Sequence, residues 1–167
     1  EFVNKEDKPD AVPTTMLESL KDHFDPLYPT YNLKIKDVTR AERFLVELNE
    51  FEQKGEMPSL IVMRLPNDHT SGALPGAPTV QAMVADNDLA LGMVIEALSR
   101  SRFWKETAVF VVEDDAQNGS DHVDAHRTVA LAISPYTRGR GVDSTMYSTS
   151  SMLRSMELIL GLDPMSQ

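Results

Sequence analysis

The sequence predicts an α/β fold of three layers, helices covering both faces of a mostly parallel sheet. Two long stretches carry apolar residues at helical spacing. Three short runs of branched and apolar residues alternate with the helical stretches and read as buried strands. Polar and acidic segments follow directly after those runs, where open α/β sheets place their binding residues.

Residues 1–13 are polar, aperiodic and end in Pro13, which predicts a tail or linker, with 14–167 as the folded part. Residues 25–37, DPLYPTYNLKIKD, mix prolines and tyrosines and read as an ordered loop. From Asp37, the residues Val38, Ala41, Phe44, Leu45, Leu48 and Phe51 recur at intervals of three and four, so a helix starts there with Asp37 or Thr39 as its cap. Gly55 and Pro58 end it. Ser59–Leu65, SLIVMRL, lies between Pro58 and Pro66 and predicts the first strand. The span Pro78–Ser101 carries Val80, Met83, Val84, Leu91, Val94, Ile95 and Leu98 in helical register. Thr107–Val112, TAVFVV, and Thr128–Ile133, TVALAI, are the second and third strands. A last helix over Ser150–Leu160 ends at Gly161, with Pro164 beyond.

With 26 acidic and 16 basic residues the formal charge is −10, which repels nucleic-acid backbones and excludes nonspecific binding to them. The absence of cysteine removes disulfides, zinc–thiolate sites and thiol nucleophiles together. No apolar run approaches the roughly 20 residues that span a bilayer, so no transmembrane segment is expected.

The groups able to do chemistry gather after the strands. Asn67-Asp68-His69-Thr70 follows the first and Glu113-Asp114-Asp115 the second, while Asp121, His122, Asp124 and His126 precede the third. Three of the four histidines lie in these segments, next to or near aspartates, a donor set that suits zinc, manganese or calcium. Adjacent Asp114 and Asp115 repel one another unless solvent or a cation lies between them. Elsewhere the signals are structural. The SGALPGAP loop of Gly72 and Gly76 lacks the spacing of a phosphate-cradling loop, Ser148–Ser151 and Thr14-Thr15 read as helix caps, and His23 stands alone among helical residues.

The segment Asp114-Asp115-Ala116-Gln117-Asn118-Gly119-Ser120-Asp121-His122-Val123 resembles the D-E-x-G-G-x-x-D-H-V stretch of the phosphoesterase family of bacterial phospholipases C and acid phosphatases, within the alkaline-phosphatase-like superfamily. Asn67-Asp68-His69-Thr70 looks like that family's metal-site segment, and Asp88-Leu89-Ala90-Leu91-Gly92 with Ala97-Leu98 resembles the superfamily's D-x-A-x-G-x-x-x-x-A-L helix. Asp115 stands where the family usually has Glu, one methylene shorter in reach.

The resemblance implies metal-dependent hydrolysis of a phosphomonoester or phosphodiester, with one or two divalent ions held by Asp68, His69, Asp114, Asp115 and one of His122 or His126. Spacing does not choose between those two histidines. No segment in residues 1–37 resembles the family's upstream acidic ligand or its Ser or Thr nucleophile. The expectation is accordingly that 14–167 is the C-terminal half of an alkaline-phosphatase-like domain, that its nucleophile lies in the remainder of the parent chain, and that the parent is periplasmic or secreted. The alternative reading is a non-catalytic metal-binding or interaction module.

Overall fold

The computed structural model describes residues 17–114, 127–138 and 141–165. The chain divides into two compact units, Glu1–Ser101 and Arg102–Gln167. The expectations for residues 1–13 and for Thr14-Thr15 lie outside the described residues.

The first unit is built on two helices, α1 (Asp37–Lys54) and α2 (Val80–Arg100), packed against each other. Ala41, Phe44 and Leu48 of α1 and Met83, Ala90, Val94 and Leu98 of α2 form its buried apolar seam, the i, i+3, i+4 pattern that puts side chains on one face of a helix. Val80 and Val84, expected in that seam, are instead largely exposed, and Ala90, which the apolar pattern passed over, is fully buried. Gly55 ends α1 in the left-handed region at φ 77°. The Thr79 hydroxyl caps α2 by accepting from the Ala82 N–H at 3.2 Å.

Polar staples fasten the 25–36 loop to α1. Arg43 forks onto the Asp25 carboxylate, with Nε to Oδ2 at 2.5 Å and an Nη to Oδ1 at 3.0 Å. Arg40, 1% exposed, donates to the carbonyls of Ile35, Thr30 and Asn32 at 2.7, 2.6 and 3.1 Å. Five donors in a rigid fork allow one guanidinium to satisfy several carbonyls of a turn that no helix or sheet serves. The Tyr28 hydroxyl donates to the Arg64 carbonyl at 2.8 Å and ties the loop to the next segment.

That segment, Ser59–Leu65, departs from expectation. It forms no strand and pairs with none among the described residues, and Leu60, Ile61 and Val62 are 55%, 38% and 88% exposed. Local sequence favours an extended backbone, whereas a strand exists only when another segment takes up its N–H and C=O groups.

In the second unit, β1 (Val109–Val112) and β2 (Ala130–Ile133) pair antiparallel, Val109 opposite Ile133 and Val112 opposite Ala130. A mostly parallel sheet was expected, whereas this pair runs antiparallel. Parallel neighbours need a crossover, usually a helix, and the polar sequence between Glu113 and Arg127 carries no apolar helical period to supply one. The described residues thus form a mixed α/β chain with a two-stranded antiparallel sheet. Helix α3 (Thr149–Leu160) opens with a capping box: the Ser148 hydroxyl accepts from the Ser151 N–H while the Ser151 hydroxyl accepts from the Ser148 N–H. It closes at Gly161, φ 69°. In the last turn of α3 the buried Glu157 accepts from the Met165 N–H at 2.8 Å and from Arg154 at 2.9 Å; these bonds hold its carboxyl below the usual range and fold the residues after Gly161 back on the helix.

Candidate functional site

The best-defined group of site residues is in the first unit, on the 3₁₀ turn Pro66–His69. Pro66 opens the turn, its fixed φ and missing N–H suiting a first helical position. The turn is held from below by two carboxylates. Asp37 Oδ2 accepts from the Asn67 N–H at 2.8 Å and from the Asn87 side-chain amide at 3.0 Å, while its Oδ1 meets Arg40 at 3.2 Å. Asp86 Oδ2 accepts from the Asp37 N–H at 2.6 Å and from the Asn67 side-chain amide at 2.8 Å. The Asn87 amide also donates to the Leu65 carbonyl at 2.8 Å.

Asp37 or Thr39 was expected to cap α1, and neither side chain does. The Asp37 carboxylate serves the turn instead, and the helix end is capped from α2, because Asp86 takes the first N–H of α1. An anion at that end also meets the positive pole of the helix dipole. Asp37 is fully buried, and desolvation raises its carboxyl above the usual range, opposed by the Asn67 and Asn87 hydrogen bonds and by Arg40. Burial likewise lowers the Arg40 guanidinium, opposed chiefly by Asp37. Asn67 is 3% exposed, and its Oδ1 has no hydrogen-bond partner among the described residues, although its N–H and side-chain NH₂ each reach a carboxylate.

Above this base the turn presents Asp68 and His69 side by side. Asp68 Oδ1 accepts from the His69 N–H at 3.1 Å. The His69 Nδ1 lies 3.0 Å from the Thr70 carbonyl oxygen. A carbonyl can only accept, so Nδ1 carries the proton, and in the neutral ring the lone pair is on Nε2, the tautomer in which a second-shell oxygen sets up an imidazole for a metal. Thr70 adopts φ 59°, ψ 171°, a region β-branched residues avoid, so backbone strain is stored beside His69. Tyr31 stands edge-on to the His69 ring at 6.0 Å between centroids, with the Arg64 guanidinium 5.3 Å from the Tyr31 ring centre.

The remaining expected ligands are distributed differently. Asp114 follows β1 in the second unit and is exposed. There the Thr128 hydroxyl reaches the Glu113 carbonyl at 2.9 Å and its carboxylate at 3.1 Å, and the Glu113 N–H bonds to the Val129 carbonyl at 3.1 Å, so the ladder ends just before Asp114. Asp115, His122 and His126 lie outside the described residues. Among the described residues no three His, Asp or Glu side chains converge as a metal shell, and Asp68 with His69 form the one adjacent pair of expected ligands whose donor chemistry fits a divalent ion.

Sequence reasoning passed over Asp86, Asn87 and the positioning role of Asp37. A signal for the first two was present: Asp86-Asn87-Asp88 places three poor helix formers in succession inside an otherwise apolar α2, which local propensity disfavours and tertiary bonding explains.

No curated protein and no solved structure matches the chain. The model of the Phosphoesterase family does match, over residues 4–163, and with nearly the whole chain covered, this protein belongs to the Phosphoesterase family.

Proposed function

We propose that the parent protein hydrolyses phosphate esters, mono- or diesters, in a metal-dependent site to which this chain contributes ligands and not the nucleophile. The family membership over residues 4–163 carries the reading. It is supported by the His69 imidazole, whose Nδ1 bond to Thr70 leaves Nε2 as a ligand. Asp68, His69, Asp114, Asp115 and one of His122 or His126 would hold one or two ions of zinc, manganese or calcium. Such an ion, when bound, polarises phosphoryl oxygens and lowers the pKa of the attacking group. In this reading residues 14–167 are the C-terminal half of a three-layer domain with a mostly parallel sheet. The exposed apolar residues of Ser59–Leu65 support that, since strands of the remaining chain would pair with this segment and cover them.

The test compares parent and chain on p-nitrophenyl phosphate and bis-p-nitrophenyl phosphate, with chelation and metal add-back. The parent should lose turnover on chelation and regain it with metal. The chain alone should stay well below about 1 per second, a low value for an enzyme; turnover above that would refute the division of labour. Calorimetry on Asp114→Asn and His69→Ala parents should show metal affinity reduced at least ~10-fold. Unchanged affinity in either would remove that residue from the shell.

A further inference from the structure

We infer that Asp86 of α2 is a positioning residue for the candidate site, acting through Asn67 to fix the turn that carries Asp68 and the direction and tautomer of His69. The inference rests on the reading of Asp68 and His69 as ligands and goes beyond it, because Asp86 is bonded to Asn67 and to the Asp37 N–H beneath the turn.

One oxygen of Asp86 accepts two donors, the Asp37 N–H at 2.6 Å and the Asn67 side-chain amide at 2.8 Å. Asn67 is thereby gripped at both ends, its backbone N–H by Asp37 and its side chain by Asp86. Asn87 adds a third hold one residue upstream of Pro66, on the Leu65 carbonyl. Three points from two different helices therefore fix residues 65–67, and the four-residue turn that starts at Pro66 inherits its orientation from them.

The consequence is transmitted over three residues. The turn passes into Thr70, whose backbone at φ 59°, ψ 171° holds its carbonyl 3.0 Å from His69 Nδ1. A β-branched residue holds that backbone conformation only where its surroundings over-determine it. The 65–67 clamp supplies the fixed end against which Thr70 is strained. Without it, Thr70 relaxes toward ordinary φ, the carbonyl turns away, and the imidazole can exchange its proton between the two nitrogens. The orphaned Asn67 Oδ1 fits the same account: a buried acceptor left without a partner costs stability, and the side-chain amide bond to Asp86 is what offsets that cost.

A merely structural role for Asp86, capping α1, predicts a different outcome, so the experiment separates the two. Asp86→Ala removes both bonds; Asp86→Asn keeps an oxygen that can accept both donors; Asn67→Ala leaves the cap on α1 intact and cuts only the link to the turn. In the metal-free chain, nitrogen-15 NMR of the imidazoles, assigned with His69→Ala, reads the His69 tautomer, and titration with zinc alone reads affinity. Wild type and Asp86→Asn should hold His69 with its proton on Nδ1. Asp86→Ala and Asn67→Ala should show mixed tautomers and zinc affinity reduced about 10- to 100-fold, the usual cost of losing an outer-shell partner. Should Asp86→Ala not fold, Asn67→Ala decides alone. A folded Asn67→Ala or Asp86→Ala chain with the wild-type tautomer overturns the inference, whatever its melting temperature. If His69→Ala binds zinc as tightly as wild type, the ligand reading falls, while the tautomer still judges the positioning role.

Discussion

Replacing Asp37 by alanine attacks the first unit at its most buried charge. The carboxylate is fully buried, and Arg40 beside it is 1% exposed, so the substitution strands a guanidinium away from water. Breaking a buried pair from one side costs about 3–5 kcal/mol. The carbonyls of Thr30, Asn32 and Ile35 still serve Arg40, which favours the low end of that range. Against this, the Asn67 N–H loses its acceptor, a loss of about 1–3 kcal/mol when buried. Asn87 retains the Leu65 carbonyl and adds little. The expected total is about 4 kcal/mol, a large part of the ~5–15 kcal/mol that holds a typical domain folded. Urea unfolding followed by far-ultraviolet circular dichroism, dominated by α1 and α2, should show the midpoint falling by about 2 M for a slope near 2 kcal/mol/M. The Asp37→Ala/Arg40→Met double variant should lose less than the sum of the two singles, by about 2 kcal/mol, because it leaves no unpaired charge behind. A midpoint within about 0.5 M of wild type, or strict additivity in the cycle, would refute the view of this pair as a coupled buried unit.

Further perturbations test other parts of the chain. Burial, and secondarily the Asp25 carboxylate, raises the Glu47 carboxyl above its usual range. Its folded pKa exceeds the unfolded one, so its contribution is fully present at low pH and is lost as pH rises through the folded value. Glu47→Gln should therefore raise the melting temperature near about pH 7, by less than ~1 kcal/mol in stability, and change little near about pH 3; an equal gain at both would sink the argument. At Thr70, alanine and glycine both lose the hydroxyl that accepts from the Gly72 N–H at 3.2 Å, but only glycine releases the strain. Thr70→Gly should be more stable than Thr70→Ala by about 1 kcal/mol in a thermal melt, and the reverse order would count against strain at this position. Ser148→Ala removes the hydroxyl of the capping box and should cost about 1 kcal/mol locally, read as faster hydrogen exchange at the Ser151 and Met152 amides. Unchanged exchange there would show that the cap contributes nothing to α3.

The sequence by itself determined the helices and their ends, because these depend on neighbours three or four residues away. Asp37–Lys54, Val80–Arg100 and Thr149–Leu160 follow the predicted spans to within about two residues, and Gly55 and Gly161 stop helices as a residue free to adopt positive φ should. The Asn67–Thr70 and Asp114 segments could be picked out because acid and imidazole beside a strand-like run is a pattern of types, legible without geometry. Tertiary structure alone decided the rest. Whether SLIVMRL becomes a strand depends on a partner that its own residues cannot specify, and whether TAVFVV and TVALAI run parallel or antiparallel depends on how the chain between them returns. Asp37 has the sequence signature of an ordinary cap, and Asp86 that of a solvent-facing helix residue. Only the approach of α1 to α2 sets the first under the Asn67 turn and the second on the end of its neighbour, 49 positions away in the chain. A hydrogen bond is directional and effective only near 3 Å, so long-range pairs of this kind leave no periodic trace in the sequence and are fixed by packing.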